Sequence, residues 1–289
     1  MTSKDEPAPF RYRLAVETFS AVVSAFLVAP MIAIVDQAVV SNASGLKKLV
    51  PALIDGTKTL IVKPHVFLRQ PAFLTCWGVY ASIYTIANNI SAICERTETD
   101  PFYWKFFVTS LVSVNLNIAK DRYFARLFGI GAPKPMAYSS MACFGARNGM
   151  TILAAFSMPP HVSKILQSDF HVPQQRADKL TQLVIPVTMQ IFNTPLHLLG
   201  YDIYNREHVS MKERISFIRR EFSKTLIARI GHIFPAYGLG GVFNEHLRAT
   251  GAAYVETWHK GSMATTNNTK TGSKSGLIVL AEGNKDQHR

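Results

Sequence analysis

The sequence predicts an all-α membrane protein with six transmembrane helices in three tandem two-helix repeats. Three observations carry that prediction. Charged residues are only 17% of the 289-residue chain while 48% of it is hydrophobic, against a globular norm of about 25% charged. Six apolar stretches, at residues 14–40, 72–93, 102–119, 136–158, 180–204 and 226–247, approach or exceed the roughly 20 residues that cross a hydrocarbon core. Lys and Arg number 31 against 19 Asp and Glu, a net charge of +12, and the excess collects in alternate connections between those stretches. The alternative is a soluble helical protein with buried helices. Six evenly placed stretches make it the weaker reading.

The stretches differ in how polar they are. The first carries Glu17 and Asp36 and contains Pro30. The second is free of charge from Phe73 to Ile93 and holds Trp77, Tyr80 and Tyr84. The third opens on Tyr103, Trp104 and Lys105, which read as an interfacial anchor. The fourth contains Arg147 followed by Asn148, the fifth Pro195, and the sixth Arg229, Glu245 and the glycine-rich run Pro235-Ala236-Tyr237-Gly238-Leu239-Gly240-Gly241. Isolated charges in a spanning segment are costly and face a partner or a watery cavity. A mean hydropathy of only +0.10 fits helices that line such a cavity.

Topology follows from the connections. The first, third and fifth hold fifteen basic residues: Lys47, Lys48, Lys58, Lys63 and Arg69; Lys120, Arg122, Arg126 and Lys134; Arg206, Lys212, Arg214, Arg219, Arg220 and Lys224. Basic loops remain on the side from which insertion starts, so both termini are expected on the other, less basic face. Orientation thus accounts for the basic excess without nucleic acid. Residues 2–10 are polar and match neither a cleavable signal nor a transit peptide. The domain reading is a polar N-terminal tail over 1–11, a transmembrane domain over 12–250 with repeats near 12–97, 98–172 and 173–250, and a flexible polar tail over 251–289.

The odd stretches end in a related pattern: Pro30-Met31-Ile32-Ala33-Ile34-Val35-Asp36-Gln37, Asn115-Leu116-Asn117-Ile118-Ala119-Lys120-Asp121-Arg122, and Pro195-Leu196-His197-Leu198-Leu199-Gly200-Tyr201-Asp202. Their leading positions lie 85 and 80 residues apart. A proline inside a helix removes a hydrogen bond and kinks it. Three blocks of two spans with a break near the basic end of each odd helix resemble the mitochondrial carrier family over residues 12–250. The resemblance implies a pseudo-threefold bundle around a water-filled cavity and a salt-bridge gate built on P-x-[DE]-x-x-[KR]-x-[KR]. This chain departs from that motif: Ile32, Asn117 and His197 stand where the acids belong. Lys120 and Arg122 keep the basic positions of the second block. Moving the register to Asp36, Asp121 and Asp202 restores three acids, with Arg122, Arg126 and Arg206 as the basic partners nearby in sequence. Pro30, Asp36, Lys120, Arg122, Pro195, His197 and Asp202 are therefore the candidate gate and kink residues.

By position in the family, the cavity faces of the even helices would offer Cys76, Tyr80, Cys143, Arg147, Asn148 and Tyr237 to substrate. Arg147 is the sharpest of these, as an anion contact or as a structural ion pair with Asp36 or Glu17. Tyr80 and Tyr237 also read as packing aromatics, and Cys76 and Cys143 as small apolar fillers. Asn244-Glu245-His246 beside Arg248 reads as a solvated or ion-paired helix end. Three widely spaced cysteines exclude a disulfide scaffold and a zinc ribbon. No phosphate loop, dinucleotide fingerprint, HExxH or GxSxG occurs, so no enzyme, cofactor or metal is expected. The resemblance implies exchange of a small anionic or polar metabolite across the mitochondrial inner membrane by alternating access. The outer membrane and the peroxisome are the alternative locations. Membrane lipids, cardiolipin among them, are the other expected partners. The incomplete motif motivates a rival: a carrier-like receptor, assembly or insertion factor that no longer transports.

Overall fold

The computed structural model describes residues 8–129, 135–154, 158–206, 208–233 and 240–283, with side chains described through residue 262 except at 232 and 233. Among the described residues there are ten helices and no strand. They are α1 Phe10–Ser44, α2 Leu49–Val62, α3 Pro64–Phe67, α4 Pro71–Arg96, α5 Pro101–Phe128, α6 Tyr138–Ile152, α7 Met158–Ser168, α8 Gln174–Asn205, α9 Met211–Ile233 and α10 Gly240–Gly283.

Local chemistry sets the helix ends. Pro71 and Pro101 open α4 and α5 at positions where a missing N–H costs nothing. The Asp100 carboxylate caps α5 by accepting from the Phe102 N–H at 2.9 Å. Gly45 stops α1 in the left-handed region at φ 79° and donates its N–H to the Asn42 carbonyl. The Asn42 side chain then accepts from the Leu49 N–H at 3.0 Å, so the last turn of α1 satisfies the first turn of α2. Pro30 lies inside α1, and Pro186 and Pro195 lie inside α8.

The long helices pack in series. α1 lies along α4, α4 on α5, α5 on α6, α6 on α8 and α8 on α9, and α10 returns to α1. The α1–α4 seam is aromatic: Phe26 meets Phe73 and Trp77 edge-on, and the Trp77 indole donates to the Val22 carbonyl at 3.1 Å. The α6–α8 seam is close because Gly200 has no side chain. A Cβ there would come within 2.7 Å of the Phe144 ring. Ser140 Oγ donates to the Gly200 carbonyl across the same seam.

Beside an apolar core, many large apolar side chains are exposed and many charged ones are buried. Phe19, Leu27 and Met31 on α1, Phe107 and Leu111 on α5, and Leu183, Val184, Ile191 and Phe192 on α8 are exposed. Glu17, Asp36, Lys120, Asp121, Arg147, His197, Asp202, Arg214 and Arg229 are buried. Apolar surface outside and charge within is the arrangement of helices solvated by lipid.

Several expectations are corrected. Of six predicted spans, two described helices, α1 and α8, are both long and apolar enough to cross a membrane. α4 and α5 have the length, at 26 and 28 residues, but they carry polar residues such as Asn88, Asn89 and Asn117. The predicted span 136–158 divides between α6 and α7, and α6 alone, with 15 residues, covers only about 22 Å. The predicted span 226–247 divides between α9 and α10. The tandem threefold repeat is not established by this packing: the first connection holds α2 and α3, whereas α5 and α6 are joined without a described helix between them. α10 continues through the region read as a polar tail, and its middle is held to the start of α1. There Tyr12 meets Trp258 edge-on at 5.8 Å, and the Ala8 N–H donates to Glu256 at 3.4 Å.

Candidate functional site

Two polar clusters sit at opposite ends of α1, with a line of buried polar groups between them. Asp36 lies two turns before the C-terminus of α1. Its carboxylate accepts from Lys120 Nζ on α5, and both side chains are buried. The next residue on α5, Asp121, pairs with Arg147 of α6 at 2.9 Å and accepts from the Tyr201 hydroxyl of α8 at 3.4 Å. Arg147 Nη1 is 2.8 Å from His197 Nδ1, and its Nη2 donates to Asn148 Oδ1 at 2.5 Å. One residue after Tyr201, the fully buried Asp202 accepts from Arg206 Nε at 2.6 Å and Arg214 Nη1 at 2.5 Å. Four long helices and the start of α9 are thus cross-linked by charge at the basic face. Breaking a buried pair leaves the survivor uncompensated, at a cost of about 3–5 kcal/mol.

The second cluster is centred on Glu17, which is fully buried. Its carboxylate accepts from Arg13 Nε at 2.8 Å and from Arg248 of α10, whose Nη2 is 3.3 Å away. Arg13 reaches on to Glu95 of α4 at 3.2 Å. Asn88 of α4 donates to the Glu17 carbonyl at 3.1 Å and exchanges amide hydrogen bonds with Asn244 of α10 at 2.9 Å. Glu17 and Asp36 are separated by about 28 Å along the helix, close to the hydrocarbon thickness of a bilayer. Each end of the bundle therefore has its own ion-pair cluster.

The polar groups between the clusters come mainly from α6, α8 and α9. Asn193 Nδ2 donates to Thr151 Oγ1 at 3.0 Å, and Arg229 Nε donates to Gln190 Oε1 at 3.0 Å. Among the buried side-chain atoms without a hydrogen-bond partner are Asn193 Oδ1, Thr194 Oγ1 and Thr225 Oγ1 here, and Arg147 Nε and Asn148 Nδ2 at the edge of the basic-face cluster. Ser20 and Ser24 on the facing α1 are in the same state. Buried polar atoms ordinarily find partners, so this interior is arranged for a polar guest or for water.

The candidate residues divide accordingly. Asp36, Lys120, His197, Asp202, Arg147 and Asn148 meet in or beside the basic-face cluster. Arg122, two positions from Lys120, is exposed on the other side of α5 and stands outside it. Cys76 is buried in the apolar layer with Ile32, Phe73 and Phe124, within electrostatic reach of Lys120 and Asp36. Tyr80 packs edge-on to Tyr84 and against the same layer. Cys143 is half-buried on α6. Tyr237 lies outside the described residues. The basic partners are not those nearest in sequence: Asp121 takes Arg147, and Asp202 takes Arg214 as well as Arg206. The alternative ion pair for Arg147, with Asp36 or Glu17, is replaced by one with Asp121. Sequence reasoning left out Arg13, Asn88 and Gln190 as site residues, and read Asn244 and Arg248 only as part of a solvated or ion-paired helix end, where Arg248 does pair with Glu17.

No curated protein and no solved structure matches the chain. A family model matches residues 20–251, and its description is "Probable citrulline exporter". The mitochondrial carrier resemblance is corrected by this finding. The physical difference is already in the cluster: the buried acids Asp36, Asp121 and Asp202 stand six or seven residues after the leading positions, where the carrier motif would have them two after. The matched span takes in most of α1, the basic-face cluster, the polar interior and the second cluster except Arg13 and Glu17, and the chain belongs to this exporter family.

Proposed function

We propose that this protein exports citrulline, or a close neutral amino-acid analogue, across a membrane by alternating access. The observation that carries the reading is the set of unsatisfied buried polar atoms between two ionic closures, in a chain of an exporter family. A transporter needs one closure on each side, never both open, around a site near the midplane. The pairing of Asp36, Asp121 and Asp202 supports a working closure and speaks against a carrier-like protein that has lost transport. We take the helices to form three pairs about a pseudo-threefold axis, with α1, α5 and α8 each giving one acid to the basic-face cluster. The reading assigns binding and conformational change to the chain and no covalent chemistry.

Citrulline carries a neutral ureido group with a strong carbonyl acceptor. Arg147 Nε and Asn148 Nδ2, both donors without a partner, are the groups we assign to that carbonyl. Arg147→Ala is expected to reduce saturable citrulline efflux from proteoliposomes to background while the protein reconstitutes in equal amount. Unchanged efflux would remove Arg147 from the mechanism. A wild-type protein that shows no saturable citrulline efflux would sink the reading.

Lipid and location enter here too. A cavity of about 420 Å³ between the α1–α2 turn and α9 is lined by Lys47, Lys48, Arg220, Lys224 and one acid, Glu221, with Lys47 paired to Asp55 and Arg220 to Glu221. Its charge suits the phosphates of an anionic lipid headgroup, and cardiolipin is the lipid we propose. Lys48→Gln combined with Lys224→Gln should remove the thermal stabilisation that cardiolipin gives the detergent-solubilised protein, and an unchanged shift would refute that site. The basic face favours an energised membrane that is negative on that side, at about 2.3 kcal/mol per charge per 100 mV. The mitochondrial inner membrane is the location we propose on that ground, and fractionation against outer-membrane and peroxisomal markers tests it.

A further inference from the structure

Arg229 is the buried cation that the ionic closures do not account for. It lies on α9 with 5% of its surface exposed. Lys120, Arg147 and Arg214 are buried to a similar degree, and each pairs with an aspartate. Among the described residues, no carboxylate pairs with Arg229. Its hydrogen bond goes to the neutral Gln190 amide, itself 4% exposed. The nearby stretch 234–239 contains no acidic residue. An uncompensated guanidinium away from water is strongly unfavourable and ordinarily marks a pathway or a ligand.

The surroundings of Arg229 point the same way. Thr225 stands one helical turn earlier on the same face of α9 and is fully buried with no partner for its hydroxyl. On α8, which packs against α9, Thr194 lies one turn from Gln190, and both Thr194 Oγ1 and Asn193 Oδ1 are without partners. The charges of Asp36, Asp121 and Arg147 are within electrostatic reach. Three cations, Lys120, Arg147 and Arg229, therefore share the interior with two carboxylates, Asp36 and Asp121, and the excess positive charge falls at Arg229.

We propose that Arg229 binds the carboxylate of the transported solute, with Gln190 holding the guanidinium in place and the Thr194 and Thr225 hydroxyls completing the site. The solute class is an α-amino acid: its carboxylate neutralises Arg229 and its ammonium lies toward Asp36 and Asp121. This inference rests on the transport reading above and adds the group that recognises the charged end of the solute. A guanidinium presents two parallel N–H donors to a carboxylate, which an ammonium cannot do.

The test compares wild type, Arg229→Gln and Arg229→Lys in detergent, with citrulline, its carboxamide, and a panel of amino and keto acids as probes in thermal-shift titrations. Citrulline should raise the wild-type Tm and its carboxamide should not. Arg229→Gln should melt at or above the wild-type temperature without ligand, because it removes an unpaired buried charge. It should bind citrulline about tenfold more weakly or worse, and Arg229→Lys should restore binding only in part. Equal citrulline shifts in wild type and Arg229→Gln would overturn the assignment of Arg229 and leave the transport reading standing. Stabilisation by another carboxylate but not by citrulline, lost in Arg229→Gln, would uphold Arg229 and overturn citrulline as the solute. No stabilisation by any carboxylate, or equal stabilisation by the carboxamide, would overturn the carboxylate site.

Discussion

Asp36→Asn is expected to abolish transport and to lower the melting temperature, and exchanging the two charges as Asp36→Lys with Lys120→Asp is expected to recover much of both. The single change leaves the Lys120 ammonium in the interior with Asp121 as its remaining acid, 4.0 Å away. Asp121 already serves Arg147. One carboxylate would then answer two buried cations, and the cost approaches the roughly 3–5 kcal/mol of a broken buried pair. In a two-state transporter that cost falls mainly on the conformation in which the basic face is closed. The population therefore shifts toward the conformation open on that side. Efflux of labelled citrulline from proteoliposomes measures the loss. Labelling of cysteines introduced along the interior faces of α6 and α8 measures the shift. A charge exchange that folds but recovers no efflux would show that the pair acts through its exact placement rather than through charge compensation.

Glu17→Gln should produce the second large effect, at the opposite end. Its carboxylate holds Arg13 and Arg248 together, and through them joins α1, α4 and α10. Arg13 would keep Glu95, which is largely exposed, and Arg248 would lose its ion-pair partner. Both arginines are partly exposed, so the stability cost should sit at or below the lower end of the buried-pair range, about 3 kcal/mol. The middle of α10, seated on α1 by the Arg248 pair, the Tyr12–Trp258 contact and the approach of Gly251 to Val16, should loosen. Limited proteolysis between residues 250 and 262 should quicken, and saturable efflux should fall because the conformation closed at that end is destabilised. A Glu17→Gln protein with wild-type proteolysis and efflux would show that the cluster is packing and not closure.

How much of this was legible beforehand can be argued from single residues. Asp36, Asp121 and Asp202 announced themselves by recurring near the ends of the odd stretches, and the structure places all three in the buried network. Arg147 stood out because an arginine inside an apolar stretch has to meet something polar. Its partner was not legible, because Asp121 lies on another helix and nothing in the local spacing selects it over Asp36. Arg122 shows the limit from the other direction. It sits in the expected register, yet two residues along a helix turn the side chain by about 200°. Lys120 thus points inward and Arg122 outward, and only the rotation of α5 against its neighbours decides which is buried. Arg229 was visible as one of several scattered charges. That it is a buried cation with no paired carboxylate among the described residues required knowing where the described acids lie.

The chain's own residues determined that it is helical and that charges are set among apolar stretches, with the basic ones gathered in alternate connections. These follow from composition and from the order of apolar stretches, which are local properties. Tertiary structure decided which acid meets which base, that two ion-pair clusters stand about 28 Å apart along α1, and that α8 and α9 hold between them a guanidinium with no carboxylate partner among the described residues. Those are properties of side chains from different helices, brought together by packing, and the partners lie from 12 residues apart for Asp202 and Arg214 to 231 apart for Glu17 and Arg248.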